Sequence, residues 1–368
     1  IAGKRIEEAR IVVSGAGASA FSCTKLYESF GAQRSNIVMI DSKGVITKDR
    51  EGLSEEKAYF ATDRTELKTL ADAIVGADVF VGLSRPGVLT QDMVRKMAAQ
   101  GDIGLTLDGV PRISRAQNLD ALTSMSTCAG YKGILMAAND LASFMPQMFT
   151  AVGKIDPMKV MVIGVGVAGL QALATAKRLG AVLYAADIRP AAAEQATSLG
   201  AKLVDTGVAP ELAIAEGGYA KHLPEDVLVK ERELLKSTIQ DMDIVFCSAL
   251  VPGKIAPVII TEEMVKGMKP GSVIVDISID QGGNCEITPA GRREVKHGVV
   301  LEGIKNIPGM LPKSSTWMFS QNMYNLVKYL VKDGKMNLDM SDEICQKILV
   351  TRDGEIVHEG TREAMGMK

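Results

Sequence analysis

One hexapeptide limits the folds open to this chain more than anything else in it: Gly164-Val165-Gly166-Val167-Ala168-Gly169. It follows an apolar run at 159–163 and opens a segment at 169–179 with helical spacing. A strand that turns through three spaced glycines into a helix is a dinucleotide fingerprint, and each glycine has its own task. Gly164 permits the tight turn, Gly166 admits a pyrophosphate against the backbone, and Gly169 lets helix and strand close up. The first helical turn then presents unpaired N–H groups and the positive end of its dipole to phosphate. Asp187 ends the next apolar run. Its carboxylate suits the hydroxyls of an adenosine ribose and repels a 2′-phosphate, so the reading is NAD rather than NADP. The nearby Arg189 works against that preference.

The rhythm around the hexapeptide is that of a whole nucleotide-binding sheet. Strands are expected at 159–163, 182–186, 202–204, 244–248, 273–277 and 299–303, with helices between them at 169–179, 190–199 and 261–268. A second fingerprint, Gly15-Ala16-Gly17-Ala18-Ser19-Ala20, uses the permitted alanine at its third position. It lies between a strand at 10–14 and a helix reaching about Phe30, and Asp41 ends the next strand at 36–40. A loop at 43–62, a helix at 65–75, a strand at 79–83, a helix at 90–99 and a strand at 103–107 continue this first sheet in parallel. A long helix at 126–149 is expected to connect the halves, with a break at 153–157. An amphipathic helix at 320–331 returns, and 347–358 reads as a hairpin about Arg352-Asp353-Gly354. The fold expected is α/β: two Rossmann-like doubly wound parallel-sheet domains joined by a long helix, with a C-terminal helix and hairpin tail. The boundaries fall at 1–108, 109–150, 151–318 and 319–368, the last segment returning to the first domain.

Composition removes several function classes. A net charge of −2 and 4% aromatic residues leave neither the basic footprint nor the stacking rings of a nucleic-acid binder. The cysteines Cys23, Cys128, Cys247, Cys285 and Cys345 are scattered without a close pair, which points to a reducing compartment and to no disulfide or zinc framework. The longest apolar stretch is interrupted by the fingerprint glycines, whereas a membrane helix needs roughly 20 uninterrupted apolar residues. No signal peptide is legible, so a cytoplasmic location is expected, with no membrane insertion of its own. His222, His297 and His358 form no metal-ligand pattern and read as surface residues. Arg85 lies at the end of the strand at 79–83, as a phosphate partner or a solvated cation. Arg112, Gln117 and Asp120 form the third feature of interest. Together they offer donors and an acceptor that hold a carboxamide in one orientation; the alternative is a helix-capping polar cluster, which spacing alone favours.

From about Val110 onward the chain resembles the NAD(H)-binding domain I, or alpha subunit, of proton-translocating nicotinamide nucleotide transhydrogenase. The residues that carry the resemblance are Pro111-Arg112-Ile113-Ser114-Arg115-Ala116-Gln117-Asn118-Leu119-Asp120, Ala129-Gly130-Tyr131, the fingerprint region, Asp187-Ile188-Arg189-Pro190, Gly217-Gly218-Tyr219-Ala220-Lys221, Ala249-Leu250-Val251-Pro252-Gly253-Lys254 and Gly282-Gly283-Asn284-Cys285-Glu286. The resemblance implies that Arg112, Gln117 and Asp120 grip nicotinamide. Thr123 stands where that family has serine and keeps the hydroxyl. Tyr219 belongs to a loop closing over nucleotide, and Ile188, Arg189, Ala249, Leu250 and Asn284 join the cofactor set. Residues 1 to about 100 instead resemble the NAD-binding domain of bacterial malic enzymes. That likeness is carried by the segment from Ile11 to Ala20, Asp41-Ser42-Lys43-Gly44, Phe60-Ala61-Thr62, and the stretch from Leu70 to Phe80. The chain reads as a hybrid, natural or engineered, joined near 98–108.

The function expected is the NAD(H) side of a direct hydride transfer to NADP+ on a partner domain. No proton moves at the carbon, so the scarcity of histidine is no obstacle; what matters is holding two rings at roughly 3–3.5 Å. The resemblance implies an NADP(H)-binding partner domain, a membrane proton-channel domain, a homodimer, and a peripheral place at the inner membrane through a partner. Gly15, Gly17, Ala20 and Asp41 mark a second candidate cofactor site. Two other readings stand beside this one: a self-contained alanine-dehydrogenase-like or malic-enzyme-like dehydrogenase, and a recombined, non-catalytic NAD-binding scaffold.

Overall fold

In the computed structural model the described residues are 5–84, 88–97, 104–214, 220–221, 223–251, 254–332, 335–352, 355–364 and 366–367. They form two compact units. One comprises Ile1–Ser124 with Pro312–Lys368, and the other Met125–Leu311.

The second unit has the more complete sheet. Its strand order is Lys202–Leu203, Val182–Ala186, Lys159–Ile163, Ile244–Cys247, Val273–Asp276, Val299–Glu302, Arg293–Lys296. The first six are parallel neighbours, and the last runs antiparallel at the edge. The order reverses beside Lys159–Ile163, the switch point at which such sheets bind ligands. Strands buried on both faces must be apolar throughout. Val160 and Val162 therefore enter one core with Leu173, Phe246 and Val275, while Met161 and Ile163 enter another with Leu235, Val245 and Ile274. The edge strand Arg293–Lys296 lies outside the expected set, because its alternating charge and exposure read as loop. Helix Glu225–Gln240 covers one face through Leu228, Leu235 and Ile239.

The first unit has a shorter sheet, ordered Gly44–Val45, Ile37–Asp41, Ile11–Ser14, Val79–Gly82. The last three are parallel and Gly44–Val45 is antiparallel. Ile11–Ser14 is buried along its whole length, between a cluster holding Val13, Met39 and Phe60 and another holding Val12, Ile40 and Ile74.

Several expected elements differ here. The strand expected at 103–107 does not extend this sheet. Its described part, Gly104–Leu105, pairs antiparallel with Leu349–Arg352, which pairs in turn with Glu355–Ile356 as the expected tail hairpin. Gly104 N–H donates to Thr351 Oγ1 at 2.6 Å, so a polar tie from the tail wins over a two-residue apolar run. The loop at 43–62 contains the Gly44–Val45 strand and helix Glu55–Tyr59. The helix expected at 65–75 shrinks to Leu70–Ala73, because Thr69 and Asp72 form a reciprocal capping box that fixes its start. Helix 90–99 is described as Gln91–Arg95.

The long helix is Ala121–Asp140, displaced toward the N-terminus from 126–149. Its start is set by Asp120, whose carboxylate accepts from Thr123 N–H at 2.9 Å and Thr123 Oγ1–H at 2.6 Å. Met148–Thr150 and Gly153–Ile155 then form a hairpin where a helix end and a break were expected. The returning helix is Pro312–Leu330, longer than the stretch 320–331. Helix Glu343–Ile348 follows it. Among the described residues no helix is long and apolar enough to cross a membrane, and no cluster of side chains has the makings of a metal site.

Candidate functional site

The second unit builds its turn as the fingerprint requires. Gly164 has φ +83°, and a Cβ there would come within 2.5 Å of Ala249 N. Gly166 caps helix Val167–Arg178, and a Cβ on it would meet nothing within 4 Å. That open space lies at a helix N-terminus, where unpaired N–H groups and the positive dipole end favour an anion. Gly169 brings the helix down onto the turn: a Cβ would lie 2.3 Å from Gly164 O. Val167 and Ala168 supply the first helical positions.

Asp187 stands just beyond Val182–Ala186 with its side chain only 3% exposed. Its carboxylate accepts from Val165 N–H at 2.6 Å, tying it to the glycine turn. It also accepts from Arg189 N–H at 2.8 Å and from the Arg189 guanidinium at 3.0 and 2.8 Å. Ile188, between them, is half-buried. Across the turn, Ser248 Oγ–H donates to Gly164 O at 2.6 Å. Asn284 is fully buried: its Oδ1 accepts from Ala249 N–H at 2.9 Å and its Nδ2 donates to Ala249 O and Pro257 O at 2.8 and 2.9 Å. Both ends of the amide are engaged, so Asn284 holds the loop that presents Ala249 and the exposed Leu250.

Asp276 braces the segment from behind, accepting from the N–H groups of Ser278, Asn284 and Cys285. Burial pushes its carboxyl up to about 6 against those three donors. Glu231 is a site-side carboxylate that the sequence does not single out. It is buried on helix Glu225–Gln240, and burial, helped by the charge of Asp187 and opposed by Arg232, pushes it up to about 7. The available signal is a carboxylate on the same helix face as Leu228 and Leu235.

The other described residues of the expected set lie in the first unit. Arg112 and Gln117 are exposed, and Asp120 is buried. Ser114–Leu119 forms a 3-10 turn that leads into the Asp120 cap, so the polar cluster does cap a helix as well as offering donors. Gly15 has φ +132° with a Cβ position 2.7 Å from Leu83 O; Gly17 caps helix Ala18–Ser29 over open space; Ala20 is buried. Asp41 accepts from Arg50 at 3.1 and 3.0 Å, from Lys57 at 2.7 Å and from Lys43 N–H at 2.9 Å. Burial works against its charge, but the Arg50 and Lys57 hydrogen bonds prevail and hold the carboxyl at about 2. Tyr219, His222 and Arg85 lie outside the described residues.

Comparison with known proteins places these two turns in different company. Residues 133–359 match the family model described as alanine dehydrogenase/PNT, C-terminal domain, and residues 1–105 match malic enzyme, NAD binding domain. The expected division of the chain into two resemblances is thus found. An NAD(P) transhydrogenase alpha subunit of Rhodospirillum rubrum is 40% identical over 330 residues, covering 82% of this chain and 86% of that protein. An NADP-dependent malic enzyme of Halomonas elongata is 58% identical over 98 residues, which are 27% of this chain and 23% of that protein. The solved structure of a transhydrogenase from Sinorhizobium meliloti superposes with a TM-score of 0.68 at 30% identity, covering 94% of this chain and 100% of that one. The fold is accordingly α/β and Rossmann-like, and the chain belongs to the alanine dehydrogenase/PNT family.

Proposed function

We propose that this chain is the NAD(H)-binding component of a transhydrogenase-type oxidoreductase, presenting NADH for direct hydride transfer to NADP+ held on a partner domain. The observation that carries the reading is the second unit's turn, where Gly166 leaves open space at the start of helix Val167–Arg178 while Asp187 pins Val165 beside it. The 40% identity to a transhydrogenase alpha subunit supports it. Gly164, Gly166, Val167, Ala168 and Gly169 cradle the pyrophosphate, and Asp187, Ile188 and Arg189 form the adenosine-ribose end. Arg189 already occupies the Asp187 carboxylate, so ribose hydroxyls either share that carboxylate or displace the guanidinium from it. Ala249 and Leu250, held by Asn284, form one wall.

Arg112, Gln117, Asp120 and Thr123 orient the carboxamide, and Tyr219 closes over the nucleotide. Nicotinamide, when bound, supplies the ring carbon that gives or accepts hydride. The chain's own contribution is orientation, which needs no proton-transfer group at that carbon. Gly15, Gly17, Ala20 and Asp41 form a second dinucleotide cradle in the first unit. The partners in this reading are an NADP(H)-binding domain, a membrane proton-channel domain that places the chain at the membrane surface from the cytoplasmic side, and a second copy of the chain.

Titration of the full chain with NADH and NADPH, followed by nucleotide fluorescence, tests the proposal. NADH binds the tighter, and Asp187→Ala weakens it. Absent or equal binding, or an Asp187→Ala variant with unchanged affinity, sinks the reading. Mixing with an isolated NADP(H) domain of a transhydrogenase then yields hydride transfer, whereas alanine-dependent NADH formation by the chain alone favours a dehydrogenase instead.

A further inference from the structure

The 3-10 turn Ser114–Leu119 is a poor element to leave alone. Such turns have strained hydrogen bonds and rarely persist without outside support. Its inward side chains, Ala116 and Leu119, are buried with Leu326, Leu330, Ile344, Cys345 and Ile348. Apart from Val110, the turn's buried partners in this cluster all come from residues beyond 312. Its outward side is tied to the same segment by polar groups. Asn322 Nδ2 and Asn325 Nδ2 both donate to Asn118 O, at 3.0 and 3.2 Å. Arg115, Tyr329 and Asp342 close a triangle: Arg115 donates to Tyr329 Oη at 3.1 Å, Tyr329 donates to Asp342 Oδ2 at 2.7 Å, and Arg115 and Asp342 pair at 2.6 Å.

The behaviour of Asp342 is informative. It precedes helix Glu343–Ile348 at the position where an aspartate ordinarily caps its own helix, yet its side chain makes no cap bond there. Its carboxylate is turned toward Arg115 and Tyr329 instead. The backbone carbonyl of the turn and one of its side chains are thus both gripped from the far end of the sequence, on either flank of Gln117.

We infer that Asp342, Tyr329 and Arg115 are positioning residues that hold Gln117 in the geometry that reads nicotinamide. The inference rests on the proposed role of Arg112, Gln117 and Asp120. None of the three touches the reacting ring; they act through the turn. The chemistry served is recognition of a planar carboxamide, which tolerates little misplacement of its donors.

The test compares two ligands in the full chain: NADH, and ADP, which has the adenosine and pyrophosphate but no nicotinamide. Asp342→Asn and Arg115→Met weaken NADH by roughly three- to thirtyfold, the range for residues acting through a coupled network, and leave ADP within about twofold. The double variant is no weaker than either single one, because the partners act as one unit. Arg115→Lys restores part of the loss. Arg115 is half exposed, so its variant keeps the fold even if Asp342→Asn does not. Equal losses for NADH and ADP, additive losses in the double variant, or no loss at all overturn the inference. Gln117→Ala is the control on the reading beneath it. If Gln117→Ala spares NADH, the nicotinamide role itself fails and the positioning role goes with it. If Gln117→Ala costs affinity and the triangle variants do not, only the positioning role fails.

Discussion

In the second unit the acidic residue that follows the fingerprint, Asp187, meets one guanidinium, that of Arg189. In the first unit its counterpart, Asp41, meets both the Arg50 guanidinium and the Lys57 ammonium. The two turns are otherwise built alike: a positive-φ glycine against a neighbouring strand's exit, then a helix-capping glycine over open space. The fingerprint thus dictates the turn, because sterics leave it no choice, but it does not dictate what the following aspartate meets. In the first unit those partners arrive from a loop and a short helix. The units also differ in how they treat buried charge. In the second, burial raises Asp276 to about 6 and Glu231 to about 7; Glu302 is raised to about 7 by burial and the neighbouring Asp140 carboxylate, opposed by Arg293. In the first, Asp41 and Asp342 are held at about 2, because hydrogen bonds from cations and a tyrosine hydroxyl outweigh burial.

The sharpest way to break the comparison is at the strained glycines. Gly164→Val combines a left-handed backbone, itself costing about 1–3 kcal/mol, with a Cβ driven into Ala249. It lowers the thermal midpoint of the second unit and abolishes NADH binding. Gly15→Val does the same to the first unit's midpoint. Scanning calorimetry reads both, and a single shared transition displaced equally by either variant denies that the units are separate. Next in size is Gly166→Ala. With no neighbour in reach it leaves the midpoint nearly unchanged, but it fills the pyrophosphate space and costs at least about tenfold in NADH affinity, or about 1.4 kcal/mol. Gly17→Ala leaves that affinity alone; if it weakens NADH equally, the first cradle is the occupied one.

The electrostatic contrast gives opposite pH responses. A carboxyl raised on folding contributes stability that is present below its unfolded pKa and lost as pH rises through the folded value. Asp276, Glu231 and Glu302 therefore cost the second unit stability as pH rises between about 4 and 7, and Glu302→Gln flattens part of that fall. A depressed carboxyl contributes stability present above its unfolded pKa and lost as pH falls through the folded value, so Asp41 and Asp342 weaken the first unit between about pH 4 and 2. Midpoints that move together across both windows remove the contrast. The smallest effect is expected at Thr123→Ala. It removes one hydrogen bond to the Asp120 cap and costs about 0.5–1.5 kcal/mol in the chemical-denaturation free energy of the first unit.

Much of this architecture is legible in the residues, for reasons that differ by region. Five of the six parallel strands of the second sheet are short, mostly buried apolar runs, and such runs announce themselves; the sixth, Lys202–Leu203, is an exposed edge. Arg293–Lys296 does not, since three of its four residues are charged and its one apolar residue, Val295, is exposed. The first sheet looks longer in the residues than it is, because Gly104–Leu105 resembles any strand locally; only its pairing with Thr351 and Leu349, far along the chain, assigns it elsewhere. At the site, the glycines and Asp187 follow from local geometry. Glu231, Arg50 and Lys57 do not, because a charged residue's burial or partnership depends on tertiary contacts that spacing does not encode. The ends of the long helix are obscure for a similar reason: Asp120 can cap or bind, and the sequence alone cannot choose.

The pairing of Gly104–Leu105 with Leu349–Arg352 bears on how the polypeptide is made. The second unit is one uninterrupted stretch, so a growing chain can complete it as soon as residue 311 has emerged. The first unit is split around that stretch, and its Gly104–Leu105 strand has no partner until Leu349–Arg352 has been made. During synthesis Gly104–Leu105 therefore stays without its partner strand while the stretch that the second unit needs is already made. A stall in translation before residue 349 leaves that small sheet unformed.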